Sequence, residues 1–186
     1  VHIMKGGAGK TTFSTTLAHT LTRSMNRNVL FVDLDGQCNG TSLLMANVID
    51  SQYNGDYEAF VNGSRGGGCK TLREAYDLCS DAQASQNDNI QIVPECVLAS
   101  DRRQPHTNLA TLHFLLGDTR TYEIDEHISL AYTQAKATKR RTNVRNEIAS
   151  PYHLIMDCAK SVKADIVILD MNCSMGALNQ MLIMAS

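Results

Sequence analysis

Short apolar runs alternate along this chain with amphipathic segments, and this alternation predicts strands separated by helices. Residues 28–33 and 164–170 are continuous apolar runs that each end in a carboxylate. Such runs are typical of strands that are buried on both faces of a parallel sheet. Apolar residues recur at helical spacing after residue 10, which predicts an early helix carrying Phe13, Leu17, Leu21 and Met25.

The remaining pattern extends the same alternation to the C-terminus. A possible capping box, Thr71-Leu-Arg-Glu74, predicts a helix that runs to about Leu78. The other predicted elements are a long exposed loop over 48–70, a strand over 90–93, a helix over 108–116, and a helix over 152–162 that Ser150-Pro151 starts. Strands alternating with helices predict an α/β fold, a doubly wound, mostly parallel sheet with helices on both faces.

The most informative chemistry lies in a glycine-rich run between an apolar stub (Val1, Ile3, Met4) and the first helix. The run reads Lys5-Gly6-Gly7-Ala8-Gly9-Lys10-Thr11-Thr12. Glycines let successive backbone N–H groups approach a phosphate, and a helix N-terminus adds unpaired donors and positive potential. A polyphosphate is therefore the expected ligand, with Lys10 on the β- and γ-phosphates and the Thr11 hydroxyl on Mg²⁺.

This run departs from the ordinary P-loop pattern, G-x-x-x-x-G-K-[ST], because Met4 stands where the first glycine belongs. It fits K-G-G-x-G-K-T and resembles the ParA/MinD family of deviant Walker A (SIMIBI-class) ATPases, ParA-type partition ATPases above all. The resemblance implies that residues 6–12 bind ATP: Gly6, Gly7, Ala8, Gly9, Lys10, Thr11 and Thr12. It also implies that Lys5 crosses a dimer interface to the nucleotide of the other subunit, so that Lys5 and Lys10 both serve catalysis.

The segment from Asp33 to Thr41 resembles the family's D-x-D-P-Q-G-N-x-T stretch, with Gly36 and Cys38 in place of the usual Pro and Gly. By that match Asp35 orients the attacking water and Asp33 lies near the Mg²⁺ shell. Phosphoryl transfer needs a placed nucleophile and neutralised charge, so carboxylates here make chemical sense. The alternative is that Asp33 and Asp35 only form the turn that follows the strand.

The run that ends at Asp170 resembles a Walker B strand, whose acid holds Mg²⁺ through water. The family pattern after it is D-x-P-P-S-x-G. Ser174 and Gly176 match this pattern, whereas Asn172 and Cys173 replace both prolines. The loop is expected to sense the γ-phosphate, because it begins at the metal-linked acid. Without the prolines we expect it to be less rigid.

Length and composition predict one compact domain over residues 1–186. The chain has 43% hydrophobic residues and a net charge of −2, so it has no global basic field for nucleic acid. No segment approaches the roughly 20 apolar residues of a membrane span. The six cysteines form no C-x-x-C pair. A nucleotide hydrolase is expected in the reducing cytoplasm, so we expect free thiols rather than a disulfide framework. The abrupt start and early stop predict a domain that is incomplete at both ends, without the family's further C-terminal strands.

The function expected from this resemblance is a Mg²⁺-dependent ATPase that forms an ATP-dependent homodimer and separates on hydrolysis. The favoured role is plasmid or chromosome partition, with non-specific DNA and a hydrolysis-stimulating protein as partners. The basic segment Lys136–Arg145 could contact DNA phosphates or could be a solvated face that balances nearby acids. Three alternatives stay open: a MinD-like membrane-positioning ATPase, a dethiobiotin-synthetase-like metabolic enzyme, and an iron–sulfur protein using Cys173 with Cys96.

Overall fold

A computed structural model describes residues 9–57, 59–60, 71–77, 98–99, 110–137, 141–174 and 176–186. The helices are α1 (Lys10–Arg23), α2 (Asn39–Tyr53), α3 (Thr121–Ala137), α4 (Arg141–Ser161) and α5 (Ala177–Ala185), with a short helix over residues 72–77. The strands are β1 (Val29–Asp33), β2 (Leu98–Ala99), β3 (Leu112–Leu115) and β4 (Ile166–Asp170).

The described strands form one sheet in the order β2-β3-β1-β4. Strand β1 pairs in parallel with both β3 and β4, whereas β2 is a short antiparallel addition at the edge. The register places Asp33 directly beside Asp170. The predicted α/β fold with a mostly parallel sheet is therefore confirmed, and its two strand-ending carboxylates share one edge.

Two hydrophobic clusters lie on opposite faces of the sheet. Leu30 and Val32 of β1 point into the cluster that contains the apolar faces of α3, α4 and α5. Val29 and Phe31 point into the other cluster, together with Ala18 of α1 and residues of α2. All five residues of β1 are buried, because helices cover the sheet on both sides.

The helix predicted over residues 108–116 is wrong in its described part, where the chain forms strand β3. Leu112, Phe114 and Leu116 face one hydrophobic cluster and Leu115 faces the other, which is the period of two of a strand. The spacing of Leu112 and Leu116 also suits a helix, so the pattern was ambiguous. Pairing with β1 decided it, and the side chain of Asn28 reinforces it by accepting the Thr111 amide at 3.0 Å.

Two other boundaries differ from the prediction. Helix α4 begins at Arg141, so Pro151 lies inside it and does not start it. The predicted exposed loop is wrong over residues 48–53, where α2 continues to Tyr53 and Ile49 is buried, and at Phe60, which is also buried. By contrast, the capping box is confirmed: the Thr71 amide donates to Glu74 Oε2 at 3.2 Å, and the Glu74 amide contacts Thr71 Oγ1 at 3.4 Å. The strand predicted at 90–93 lies outside the described residues.

Candidate functional site

An open pocket of about 690 Å³ lies where the N-terminus of α1 meets the carboxyl ends of the parallel strands. Ligands of open α/β sheets bind at this edge, because the loops that follow the strands converge there. The pocket brings together five of the predicted site residues: Gly9, Lys10, Thr11, Thr12 and Asp35. Lys5, Gly6, Gly7 and Ala8 lie outside the described residues.

Gly9 has the backbone conformation that the end of a glycine loop requires. Its φ is +75°, in the left-handed region that side-chain-bearing residues rarely adopt. Helix α1 begins at the next residue, and the Phe13 amide donates to the Gly9 carbonyl at 2.8 Å. The unpaired amides of the first turn are therefore presented at the pocket, where an anionic group would be stabilised.

Asp170 ends strand β4 and is buried, and it is not among the residues that line the pocket. Its side chain is 3% exposed, and within the described part of the chain Oδ2 accepts no hydrogen bond. Burial raises the pKa of Asp170; the nearby Thr11 and Ser14 hydroxyls lower it, Asp35 raises it and Lys10 lowers it. A buried carboxylate oxygen without a donor is costly unless a cation or water satisfies it.

Asp33 stands beside Asp170 but is fully engaged by protein groups. The Thr41 amide and hydroxyl both donate to its Oδ2, at 2.7 and 2.8 Å, and the Asp35 amide donates to Oδ1 at 3.2 Å. Thr41 is the third residue of α2, so Asp33 caps that helix from the neighbouring strand. Burial raises the pKa of Asp33 to about 6; the bonds from Thr41 and Asp35 oppose this shift, and Asp170 adds to it. A role for Asp33 in the metal shell stays a prediction.

Asp35 is less buried and faces the pocket. One of its oxygens accepts the Gln37 amide at 3.0 Å, which closes the turn after β1. The turn-forming interpretation of Asp33 and Asp35 is thus visible in the structure. It does not compete with a functional role for Asp35, because Asp35 lines the same pocket as Lys10 and Thr11.

Two glycines allow the close packing behind these acids. A Cβ on Gly40 would lie 2.9 Å from the Phe31 ring and 3.1 Å from Asp170 Oδ2. A Cβ on Gly117 would lie 3.0 Å from the Asp33 carboxyl carbon and 3.1 Å from Cys38 Sγ. The Gly117 amide also donates to the Thr41 hydroxyl at 2.9 Å, which completes the polar cluster around Asp33.

Sequence reasoning missed two residues that hold the segment after Asp170. Asp125 of α3 accepts the Leu178 amide at 2.8 Å and so caps α5. Asn179 of α5 donates through its amide group to Asn172 and Ser174. A partial signal for Asn179 was available, since two adjacent polar residues, Asn179 and Gln180, stand inside the apolar stretch Ala177–Met184. No local signal marks Asp125, because its partner lies 53 positions away.

Three features of the described residues concern the alternative functions: the cysteines, groups that could hold a metal ion, and helices that could cross a membrane. Cys38 and Cys158 are buried, whereas Cys173 is exposed at the pocket wall. In the described ranges no group of three or more His, Cys, Asp or Glu side chains could hold a metal ion. Over the same ranges no helix has the length and hydropathy to cross a bilayer. Cys96 lies outside the described residues.

Fold and site together define a P-loop nucleotide-binding domain. A family model for the CobQ/CobB/MinD/ParA nucleotide binding domain (CbiA) matches residues 1–181, and the chain belongs to this family. The resemblance to ParA/MinD proteins noted from the motifs is thereby confirmed at the level of the family. Among curated proteins no match was found.

Two solved structures share the fold. Protein DIP2308 from Corynebacterium diphtheriae aligns with a TM-score of 0.67 and 24% identity, over 98% of this chain and 54% of that one. Cobyrinic acid a,c-diamide synthase from Mycobacterium smegmatis, solved with ADP and magnesium, aligns with a TM-score of 0.50 and 21% identity, over 95% and 51%. The chain spans about half the length of each of these proteins.

Proposed function

We propose that this chain is a Mg²⁺-dependent ATPase that works as a dimerisation switch of the ParA type. The observation that carries the proposal is Oδ2 of buried Asp170, which accepts no hydrogen bond from the described residues, on a carboxylate that interacts with Thr11 and Lys10 at the start of the first helix. A buried carboxylate oxygen with no donor among these residues, close to a hydroxyl and an ammonium group, suits a hydrated cation bound with a polyphosphate.

The residues present fit magnesium as a P-loop protein uses it. Mg²⁺ keeps several waters and is held by one or two carboxylates together with substrate phosphates, so a dedicated cage of protein ligands is not required. Thr11 and Asp170 would hold it, and Asp33 would act from the adjacent strand. When bound, the ion neutralises charge that develops on the phosphates during transfer.

The residues of the proposed site have distinct tasks in this proposal. The amides that follow Gly9 and the Lys10 ammonium bind and orient the triphosphate. Asp35 orients the attacking water, because its carboxylate lines the same pocket and belongs to a hydrogen-bonded turn. Lys5 reaches the nucleotide of a second subunit, and hydrolysis releases the two subunits.

Cys38 supports the ParA-type assignment. It adopts a φ of +52°, in the left-handed region, at the position where the resembling stretch has glycine. The chain therefore keeps the backbone turn although the residue has changed. By extension we propose DNA partition or positioning of another cargo as the role, with non-specific DNA and a hydrolysis-stimulating protein as partners. Lys136–Arg145 is a candidate DNA contact.

A second candidate function is a metabolic P-loop enzyme, and one observation favours it. A neighbouring pocket of about 390 Å³ shares Asp35, Asn172 and Ser174 with the phosphate pocket and is also lined by Tyr122 and Asp125. A phosphoryl acceptor could sit there. Turnover that requires an added small-molecule acceptor, with no ATP-dependent dimer, would favour this candidate over the switch.

Three variants test the proposal on the full-length protein. Lys10→Ala should lose ATP binding, Asp35→Ala should bind ATP and dimerise without hydrolysis, and Lys5→Ala should bind ATP but lose dimerisation and turnover. Lys160→Ala, which removes an exposed lysine that pairs with nearby Asp157, is the control. Nucleotide binding, light scattering and phosphate release are measured in parallel. ATP-dependent dimers of Lys5→Ala would refute the deviant Walker A assignment.

A further inference from the structure

The segment that follows Asp170 is held by one side-chain amide. Asn179 Nδ2 lies 2.7 Å from Asn172 Oδ1 and 2.9 Å from the Ser174 carbonyl oxygen, with two longer contacts of 3.4 Å to the same residues. An amide group has two hydrogens, so the two short contacts account for both. A single side chain thus ties together residues 172 and 174.

The orientation of these groups follows from their partners. The Ser174 amide donates to Asn172 Oδ1 at 2.9 Å, so the oxygen of the Asn172 side chain faces the loop. That oxygen and the Ser174 carbonyl are both acceptors, so the end of the Asn179 side chain that faces them must be the NH₂ group and not the oxygen. Asn172 therefore closes an Asx turn with the Ser174 amide, and the NH₂ group of Asn179 donates to both residues of that turn.

Asn179 sits on a rigid support. It is 2% exposed, and its helix neighbours Leu178 and Leu182 are buried in the hydrophobic cluster. Asp125 caps the helix by accepting the Leu178 amide, and Gly176 packs so closely that a Cβ there would lie 2.3 Å from Asp125 Oδ1. The donor is thus fixed from α5 and α3 together, whereas the residues it holds are in a loop.

The held loop forms a wall of the phosphate pocket. Asn172 and Ser174 line both that pocket and the adjoining one, and exposed Cys173 lies between them. Asn172 and Cys173 are the two positions at which the resembling pattern has proline. We infer that Asn179 is a positioning residue whose amide restrains the loop at residues 172–174, in place of the rigidity that two prolines would supply. Its catalytic consequence rests on the proposed ATPase function.

The test separates the restraint from the reaction. Hydrogen–deuterium exchange of the segment after Asp170 is measured on the full-length protein without nucleotide, for the wild type, Asn179→Ala and Asn179→Asp. Asn179→Asp keeps the shape but presents oxygen to two acceptors. Ile155→Val, a buried change on α4, controls for a general loss of stability. In both Asn179 variants the exchange of the Ser174 and Gly176 amides should rise roughly tenfold, and in Ile155→Val it should not.

Kinetics then test the catalytic consequence. Asn179→Ala should lower kcat for ATP roughly tenfold while the Kd for a non-hydrolysable ATP analogue changes less than about threefold. Asn172→Ala combined with Asn179→Ala should lower kcat by less than the product of the two single effects, because the two residues share the contact between Asn179 Nδ2 and Asn172 Oδ1. Unchanged exchange in the Asn179 variants would overturn the restraint, and raised exchange with unchanged kcat would overturn the positioning role. If the Asn179 variants show raised exchange but the wild type neither binds nor hydrolyses ATP, the proposed function is refuted and the restraint is still supported.

Discussion

The buried acid Asp33 makes a quantitative prediction about stability and pH. Its pKa in the folded chain is about 6, against an ordinary value of 3.8, because burial and the neighbouring Asp170 disfavour the charge more than Thr41 and Asp35 stabilise it. The folded state therefore keeps this proton to a higher pH than the unfolded state. The free energy of unfolding from this group is highest below pH 4 and falls as pH rises through 6.

The size of the effect follows from the two pKa values. This difference between the folded and unfolded pKa of Asp33 changes the free energy of unfolding by about 3 kcal/mol between the acid and neutral limits. A change of about 2 kcal/mol falls between pH 4.5 and 7.5. Asp33→Asn has no proton to exchange at this position. It loses the acceptor for the Asp35 amide, but that cost does not change with pH. The stability of the wild type relative to Asp33→Asn should therefore fall by about 2 kcal/mol across this range.

Urea unfolding monitored by circular dichroism is the suitable assay, because the chain has no tryptophan. Both proteins are measured without nucleotide or metal at four or five pH values between 4.5 and 7.5. Asp50→Asn, at an exposed position on α2, removes the same charge and controls for the change in net charge. A difference between wild type and Asp33→Asn that stays constant within about 0.5 kcal/mol would refute the account of Asp33 as a buried acid with a raised pKa.

Three further predictions concern residues around the same site. Gly117→Ala should lower the free energy of unfolding in urea by about 1–3 kcal/mol, because its methyl group would press on the Asp33 carboxylate and Cys38; a neutral result would contradict that packing. Cys38→Gly should change the free energy of unfolding in urea by less than about 1 kcal/mol, since glycine relieves the left-handed backbone and this offsets the lost thiol contacts. Cys38→Val should lower it by more than about 2 kcal/mol, because a β-branched residue is strained in that conformation. Asp170→Asn should weaken the Mg²⁺-dependent gain in ATP affinity by about tenfold, measured by titration calorimetry with Mg²⁺ and with EDTA, and should leave metal-free binding nearly unchanged.

Much of the site could be predicted because its residues are contiguous in the chain. The glycine run and the first helix are neighbours, so Lys10 and Thr11 could be proposed from the pattern alone, and the positive φ of Gly9 agrees with the loop expected there. Strands β1 and β4 could also be predicted, because their apolar runs are short and contain β-branched residues, as strands do. In both strands the terminal carboxylate lies at the edge where the pocket forms.

Prediction failed where the deciding contact was distant. The leucines around Leu112 suit a helix or a strand equally, and only the pairing of that segment with β1 selected the strand. Residues 48–60 look polar and loop-like, yet Ile49 and Phe60 are buried because they pack against the sheet. Pro151 resembles a helix start, but α4 begins at Arg141, and Ile148 before the proline packs against the same hydrophobic cluster as Leu154 after it.

The sequence by itself determined the class of ligand, since backbone donors, a lysine and a hydroxyl next to one another suffice to bind a polyphosphate. Only the tertiary structure decided what each acid contacts. Asp33 and Asp170 end similar apolar runs, but Thr41 and Asp35 donate to the first, while one oxygen of the second has no donor among the described residues. Likewise, Asn179 became informative only when folding placed it against Asn172 and Ser174. The physical reason is that hydrogen bonding and burial depend on which segments meet in space, and a local pattern of residues does not contain that information.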